Sequence, residues 1–88
     1  MMYYGYPVYQ QKIVFENDDS VSSKELLRVF SSLTYAEKYI DDMKLDFDKD
    51  PEVNWTKYIS NPDIYGFYEE NDDGIWMFYL GQRVRVEE

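Results

Sequence analysis

Four carboxylates alternate strictly in the stretch Asp46-Phe47-Asp48-Lys49-Asp50-Pro51-Glu52. Three chemistries use acids at such spacing. A calcium loop opens D-x-D-x-D, but it then needs a glycine at its sixth position and a bidentate glutamate at its twelfth. Pro51 and Lys57 stand there, so no EF-hand and no resident metal is expected. Paired carboxylates can divide acid and base roles in glycoside cleavage, yet acids gathered in turns and on a helix surface stay solvated and ionised. The third chemistry is recognition by charge. In an extended chain Asp46, Asp48, Asp50 and Glu52 project from one side roughly 6.6 Å apart, twice the strand rise, and nucleic acid presents its charges at comparably close intervals. Asp41 and Asp42 ahead of the stretch, and Asp72 and Asp73 beyond it, extend the strip, and these eight acids are the candidate contacts for a basic protein partner.

Other chemistry is poorly provided for. The chain has no histidine and no cysteine, which removes the commonest general base, the thiol nucleophile and most transition-metal ligands. Serines are present, but no imidazole exists to activate one. No catalytic residue and no cofactor is therefore expected. Arg83 and Arg85 share one face of a strand, and tyrosines nearby offer stacking surfaces for bases. The net charge of −9, from 18 acids against 9 bases, opposes contact with phosphate. Direct nucleic-acid binding is not expected, and the arginines read as edge-strand charges that discourage aggregation. A nucleotide-holding site built from them is a distant alternative.

The chain has ten tyrosines. Tyr3, Tyr4, Tyr6 and Tyr9 exceed what a short N-terminal arm needs for its own packing. Together with Tyr65, Tyr68, Trp76 and Tyr79 they predict an exposed aromatic patch of the kind that anchors interfaces. The competing expectation is that every second aromatic in a strand points into the core.

These residues must be held by a small set of elements. Val29 to Lys44 is the organising unit. Leu26 to Phe30 is apolar and β-branched enough for a strand, and a helix follows it. Ser32 is one candidate N-cap; Thr34 is the other, through the capping box Thr34-Tyr35-Ala36-Glu37. Leu33, Ala36, Ile40 and Met43 fall on one helical face, giving about three turns that need a sheet to cover. Residues 1–7 lead irregularly into a strand over Val8–Glu16, a polar loop spans Asn17–Ser23, and the first two strands pair as a hairpin. Leu45–Glu52 is read as an acidic segment in which Asp50-Pro51 could open a short helical turn. Val53–Ile59 is read as extended, and Ser60–Asp63 as a turn. Ile64–Glu69 and Ile75–Leu80 pair across Glu70-Asn71-Asp72-Asp73-Gly74, and Arg83–Glu87 alternates like an edge strand. The expected fold is α+β: one domain over residues 1–88, an antiparallel sheet of four to six strands with one amphipathic helix on a face.

Eighty-eight residues without cysteine lie near the lower size limit for unaided folding. The aromatic side chains compensate by burying large areas. No run of ~18 apolar residues exists to cross a membrane, and the N-terminus lacks the basic and apolar regions of a signal peptide. A cytoplasmic location is expected.

Val29-Phe30-Ser31-Ser32-Leu33-Thr34-Tyr35-Ala36-Glu37-Lys38-Tyr39-Ile40 resembles the strand, F-S-S turn and A-E-K helix of small uncharacterised bacterial and phage proteins. In size, acidity and lack of His and Cys the chain also resembles phage anti-defence proteins such as anti-CRISPRs and anti-restriction DNA mimics. That resemblance implies an inhibitor that occupies the basic surface of a nucleic-acid-handling host protein in the host cytoplasm; it transfers no individual residue. The alternative is a structural or regulatory module, homodimeric through an aromatic patch or sheet edge, whose acidity serves solubility alone.

Overall fold

The computed structural model describes residues 2–87. The elements are β1 (Met2–Glu16), β2 (Asp19–Phe30), α1 (Leu33–Lys49), β3 (Lys57–Tyr58), β4 (Gly66–Asn71), β5 (Gly74–Leu80) and β6 (Val84–Glu87). All pairings are antiparallel, in the order β2-β1-β5-β4-β3, and β6 pairs with the first residues of β1. One helix on a six-stranded antiparallel sheet is the α+β arrangement the sequence predicts.

β1 is the spine of the sheet. The Tyr-rich arm expected to be irregular is strand from Met2 onwards, with Tyr3 opposite Val86 and Tyr4 opposite Arg85; Met1 lies outside the described residues. Pro7 is tolerated within the strand because it stands opposite the gap between Leu80, where β5 ends, and Val84, where β6 begins, so its missing N–H interrupts no ladder on that side; its carbonyl accepts from the Gly81 N–H at 2.8 Å. The expected loop Asn17–Ser23 shrinks to the turn Asn17-Asp18, with Asn17 at φ 54°. Ser20 and Ser22 instead take ladder positions opposite Phe15 and Ile13. Pairing against a long apolar strand overrides the loop-like composition.

The register between β1 and β2 shifts between Val8 and Tyr9, which face Arg28 and Leu26. Leu27 is the extra residue of this bulge, and it packs against the core. Ser32, in extended conformation, caps α1 by accepting from the Tyr35 N–H at 3.4 Å. Thr34 lies inside the helix and forms no box.

α1 does not stop near Lys44 but runs to Lys49; Asp50 is its C-cap and also opens the turn Asp50-Pro51-Glu52-Val53, in which the Val53 N–H donates to the Asp50 carbonyl at 3.2 Å. Phe47 explains the extra length. It continues the stripe of Ala36, Ile40 and Met43, with ring centroids 4.8 Å from Trp76, 5.2 Å from Phe78 and 5.8 Å from Phe67. Leu33, expected on that stripe, is exposed. Val8, Ala36, Ile40, Phe67 and Phe78 form the buried centre between helix and sheet. Trp76 and Leu80 lie on the same sheet face as Phe78; Tyr9, Gln11, Ile13, Met77 and Tyr79 lie on the opposite one.

Candidate functional site

The chain runs up and down, so alternate reversals fall at the same end of the sheet. β1–β2, α1–β3 and β4–β5 all turn at one pole. The Phe15 N–H donates to the Asp73 carbonyl at 2.9 Å and the Asn54 N–H to Glu69 Oε1 at 3.3 Å, which ties the three reversals together. Segments 16–19, 49–54 and 70–73 hold Glu16, Asp18, Asp19, Asp50, Glu52, Glu70, Asp72 and Asp73 against Lys49 alone, eight acids to one base. Trp55 stands beside this pole with 79% of its surface exposed. With Asn54, Lys57, Tyr68, Glu70, Asn71 and Asp72 it lines an open depression of about 480 Å³.

The acids predicted as one strip are therefore redistributed. Asp46 and Asp48 lie in a helix, where a step of two residues turns roughly 200°, so they do not project from one side. Asp46 faces outward. Asp48 turns in: it pairs with Lys44 at 2.9 Å, the two side chains being only 13% and 15% exposed. One oxygen of Asp48 also accepts from the buried Thr56 hydroxyl at 2.7 Å and from the Thr56 N–H at 2.9 Å. These bonds, the Thr56 hydroxyl first and then Lys44, hold its carboxyl down to about 2. Asp48 is a clasp joining the helix end to β3. Asp41 is a second clasp, accepting from Tyr58 Oη at 2.9 Å and Tyr65 Oη at 2.6 Å. The bond to Asp41, and then burial, push the Tyr65 phenol far up; at Tyr58 burial comes first. Asp42 pairs with Lys38 at 2.8 Å. Asp50 and Glu52 remain at the pole, where Asp50 Oδ1 accepts from the Glu52 N–H at 2.9 Å. Asp72 and Asp73 occupy the β4–β5 turn, and Asn71 Oδ1 fixes that turn by accepting from the Asp73 and Gly74 N–H groups. Among the described residues no three His, Cys, Asp or Glu side chains group as a metal site.

The tyrosines do not form one patch. Register divides them between the two faces of the sheet. Tyr4, Tyr6, Tyr65 and Trp76 belong to the helix side. There Arg83 stacks on Tyr4 at 4.1 Å, and Trp76 Nε1 donates to Gln10 at 3.0 Å. Tyr3, Tyr9, Tyr68 and Tyr79 belong to the helix-free face. On that face Tyr9 and Tyr79 lie 5.8 Å apart with the Lys24 ammonium 4.2 Å above the Tyr9 ring. Beside them Gln11, Ile59, Ile64, Tyr68, Ile75, Met77 and Tyr79 line a shallow, mainly apolar groove of about 420 Å³.

Five contributors escape the linear reading. Glu16, Asp18, Asp19 and Glu70 join the pole only through topology, although counting alternate reversals of an up-and-down chain would have found them. Trp55 had a local signal: its segment matched neither the helical nor the strand period.

The class of domain is thus α+β, with an acidic pole at one end and a bare apolar sheet face. Comparisons with protein-family models, curated proteins and solved structures find no match for this chain. No helix among the described residues is long and apolar enough to cross a membrane.

Proposed function

We propose that this chain is a small non-enzymatic binding module that docks its acidic pole, with Trp55 as anchor, onto a basic protein surface. The sharper form of this reading is an inhibitor of the phage anti-defence type, occupying the basic channel of a nucleic-acid-handling host protein in the cytoplasm. One observation carries it: three separate reversals bring eight acids to one end of the sheet, and two of them, Glu70 and Asp72, line a depression with a tryptophan left 79% exposed. Acids steer the encounter with a cationic surface, while a projecting tryptophan is the residue type that most often dominates binding energy. Two of the eight acids have their carboxylates held by neighbouring backbone N–H groups, Asp19 accepting from Ser20 and Asp50 from Glu52, which limits the ordering cost of docking.

The test is capture from nuclease-treated bacterial lysate, washed at low and high salt and read by mass spectrometry. A basic nucleic-acid enzyme retained at low salt and displaced by competing DNA is expected. Trp55→Ala should weaken that capture by about thirtyfold, the ~2 kcal/mol of a hot-spot side chain. The triple reversal Asp50→Lys, Asp72→Lys, Asp73→Lys should abolish its salt sensitivity. Capture that ignores both variants would refute the proposal.

A further inference from the structure

No element among the described residues covers the sheet face opposite α1. We infer that a second copy of the chain covers it, the two sheets packing face to face with the helices outward. The charge distribution favours this occupant. Strand positions on the face hold Lys24, Lys57 and Glu70, a sum of +1 in a chain of −9. A cationic partner finds almost no counter-charge here. A second copy meets a surface as nearly neutral as its own, while the acids stay on the helix side and at the pole.

The area is also sufficient. The five strands β1, β2, β5, β4 and β3 hold 15, 12, 7, 6 and 2 residues, and at about 3.4 by 4.8 Å per residue they give roughly 690 Å² in plan. Side-chain relief brings this close to the ~800 Å² per partner of a stable interface. That relief is large and apolar: Leu26 is 52% exposed and Phe15 45%, so the β1–β2 flanks of the two copies meet each other while the apolar groove between Ile64, Met77 and Tyr79 meets its own counterpart, in a sandwich about 10 Å thick. A two-fold axis lying across the strands makes the contact isologous. It also sends the two acidic poles to opposite ends, where they repel least.

Sedimentation of the full chain from about 1 to about 100 µM tests this. The expected species has twice the 10.7 kDa chain mass. Leu26→Asp alters a half-exposed side chain and should leave far-UV circular dichroism unchanged, yet raise the dimer dissociation constant about thirtyfold or more. Met77→Asp, at the groove, should do the same. Asp72→Lys with Asp73→Lys, which disables the pole, should keep the dimer; this separates failure of the dimer from failure of the proposed function. A single-chain mass at every concentration would overturn the inference, as would a dimer equally tight in Leu26→Asp and Met77→Asp.

Discussion

Phe47→Ala tests the packing on which the acidic pole stands. Phe47 closes the last turns of α1 against Trp76, Phe78 and Phe67, one residue before the clasp at Asp48. Truncating a buried phenylalanine costs about 3 to 5 kcal/mol, and the half-buried position of Phe47 puts the expectation at the lower end, about 3 kcal/mol. At a urea dependence of about 1.5 kcal/mol per molar, the midpoint should fall by about 2 M. The natural assay follows Trp76 fluorescence, with Trp55 replaced by Phe to silence the exposed indole. Leu45→Ala is the control. It lies on the same turn but is 59% exposed, and should change stability by no more than about 0.5 kcal/mol. If Phe47→Ala cost less than about 1 kcal/mol and no more than Leu45→Ala, the helix end would not be packed on the sheet. The chain from Leu45 to Glu52 would then be free to extend as its alternating acids suggest.

Gly74→Ala should destabilise by about 2 kcal/mol or more, because Gly74 has φ 156° and an added Cβ would run into the Ile13 carbonyl oxygen; thermal melting checks it, and an unchanged Tm would refute the tight β4–β5 turn. Asp48 is depressed to about 2 from an ordinary value of 3.8, so its contribution to stability is complete above about pH 4 and lost as the pH falls towards 2. Asp48→Asn should therefore flatten the acid limb of a stability–pH curve, and a limb of unchanged steepness would exclude Asp48 as its source. Tyr65 has the opposite sign: its phenol is raised above the unfolded value of about 10, so its contribution is full below that pH and declines as the solution becomes more alkaline. In an absorbance titration Tyr65 should stay un-ionised until the chain unfolds, and Tyr65→Phe should remove that late step; an equal number of late-titrating tyrosines in the variant would count against the bond to Asp41.

Much of the fold was legible because it is written in short-range signals. The 3.6 period of Ala36, Ile40 and Met43, the cap at Ser32 and the β4–β5 turn ending in Gly74 are decided within a few residues, and each appears where its chemistry places it. Long-range terms decided the rest. Ser20 and Ser22 look like loop residues, yet Phe15 and Ile13 recruit them into a ladder. Leu45 to Lys49 looks like an acidic tail, yet Phe47 finds three aromatic rings formed by residues from 67 to 78 and keeps the helix wound. The same distinction governs the site. Which residues are acidic is read directly, but which acids are free depends on partners such as Thr56 and Lys44 that spacing does not reveal. An alternation that points one way in an extended strand points several ways once it is wound into α1.

The two surfaces make different physical demands, and the shape of the chain keeps them apart. β1 runs nearly the full 48 Å length of the molecule, so the acidic pole sits at its end while the bare face lies along its flank. Contact at the proposed pole would depend on charge and weaken as salt rises; contact across the face would depend on apolar area, with little such dependence. In a dimer built across the flank the poles would face opposite ways, separated by a distance on the order of a whole chain length. One compact partner surface could not engage both poles at once, so dimerisation would add little avidity towards a single target. It would instead let one dimer hold two basic surfaces, and the stoichiometry of captured partner to chain would then be one to one rather than one to two.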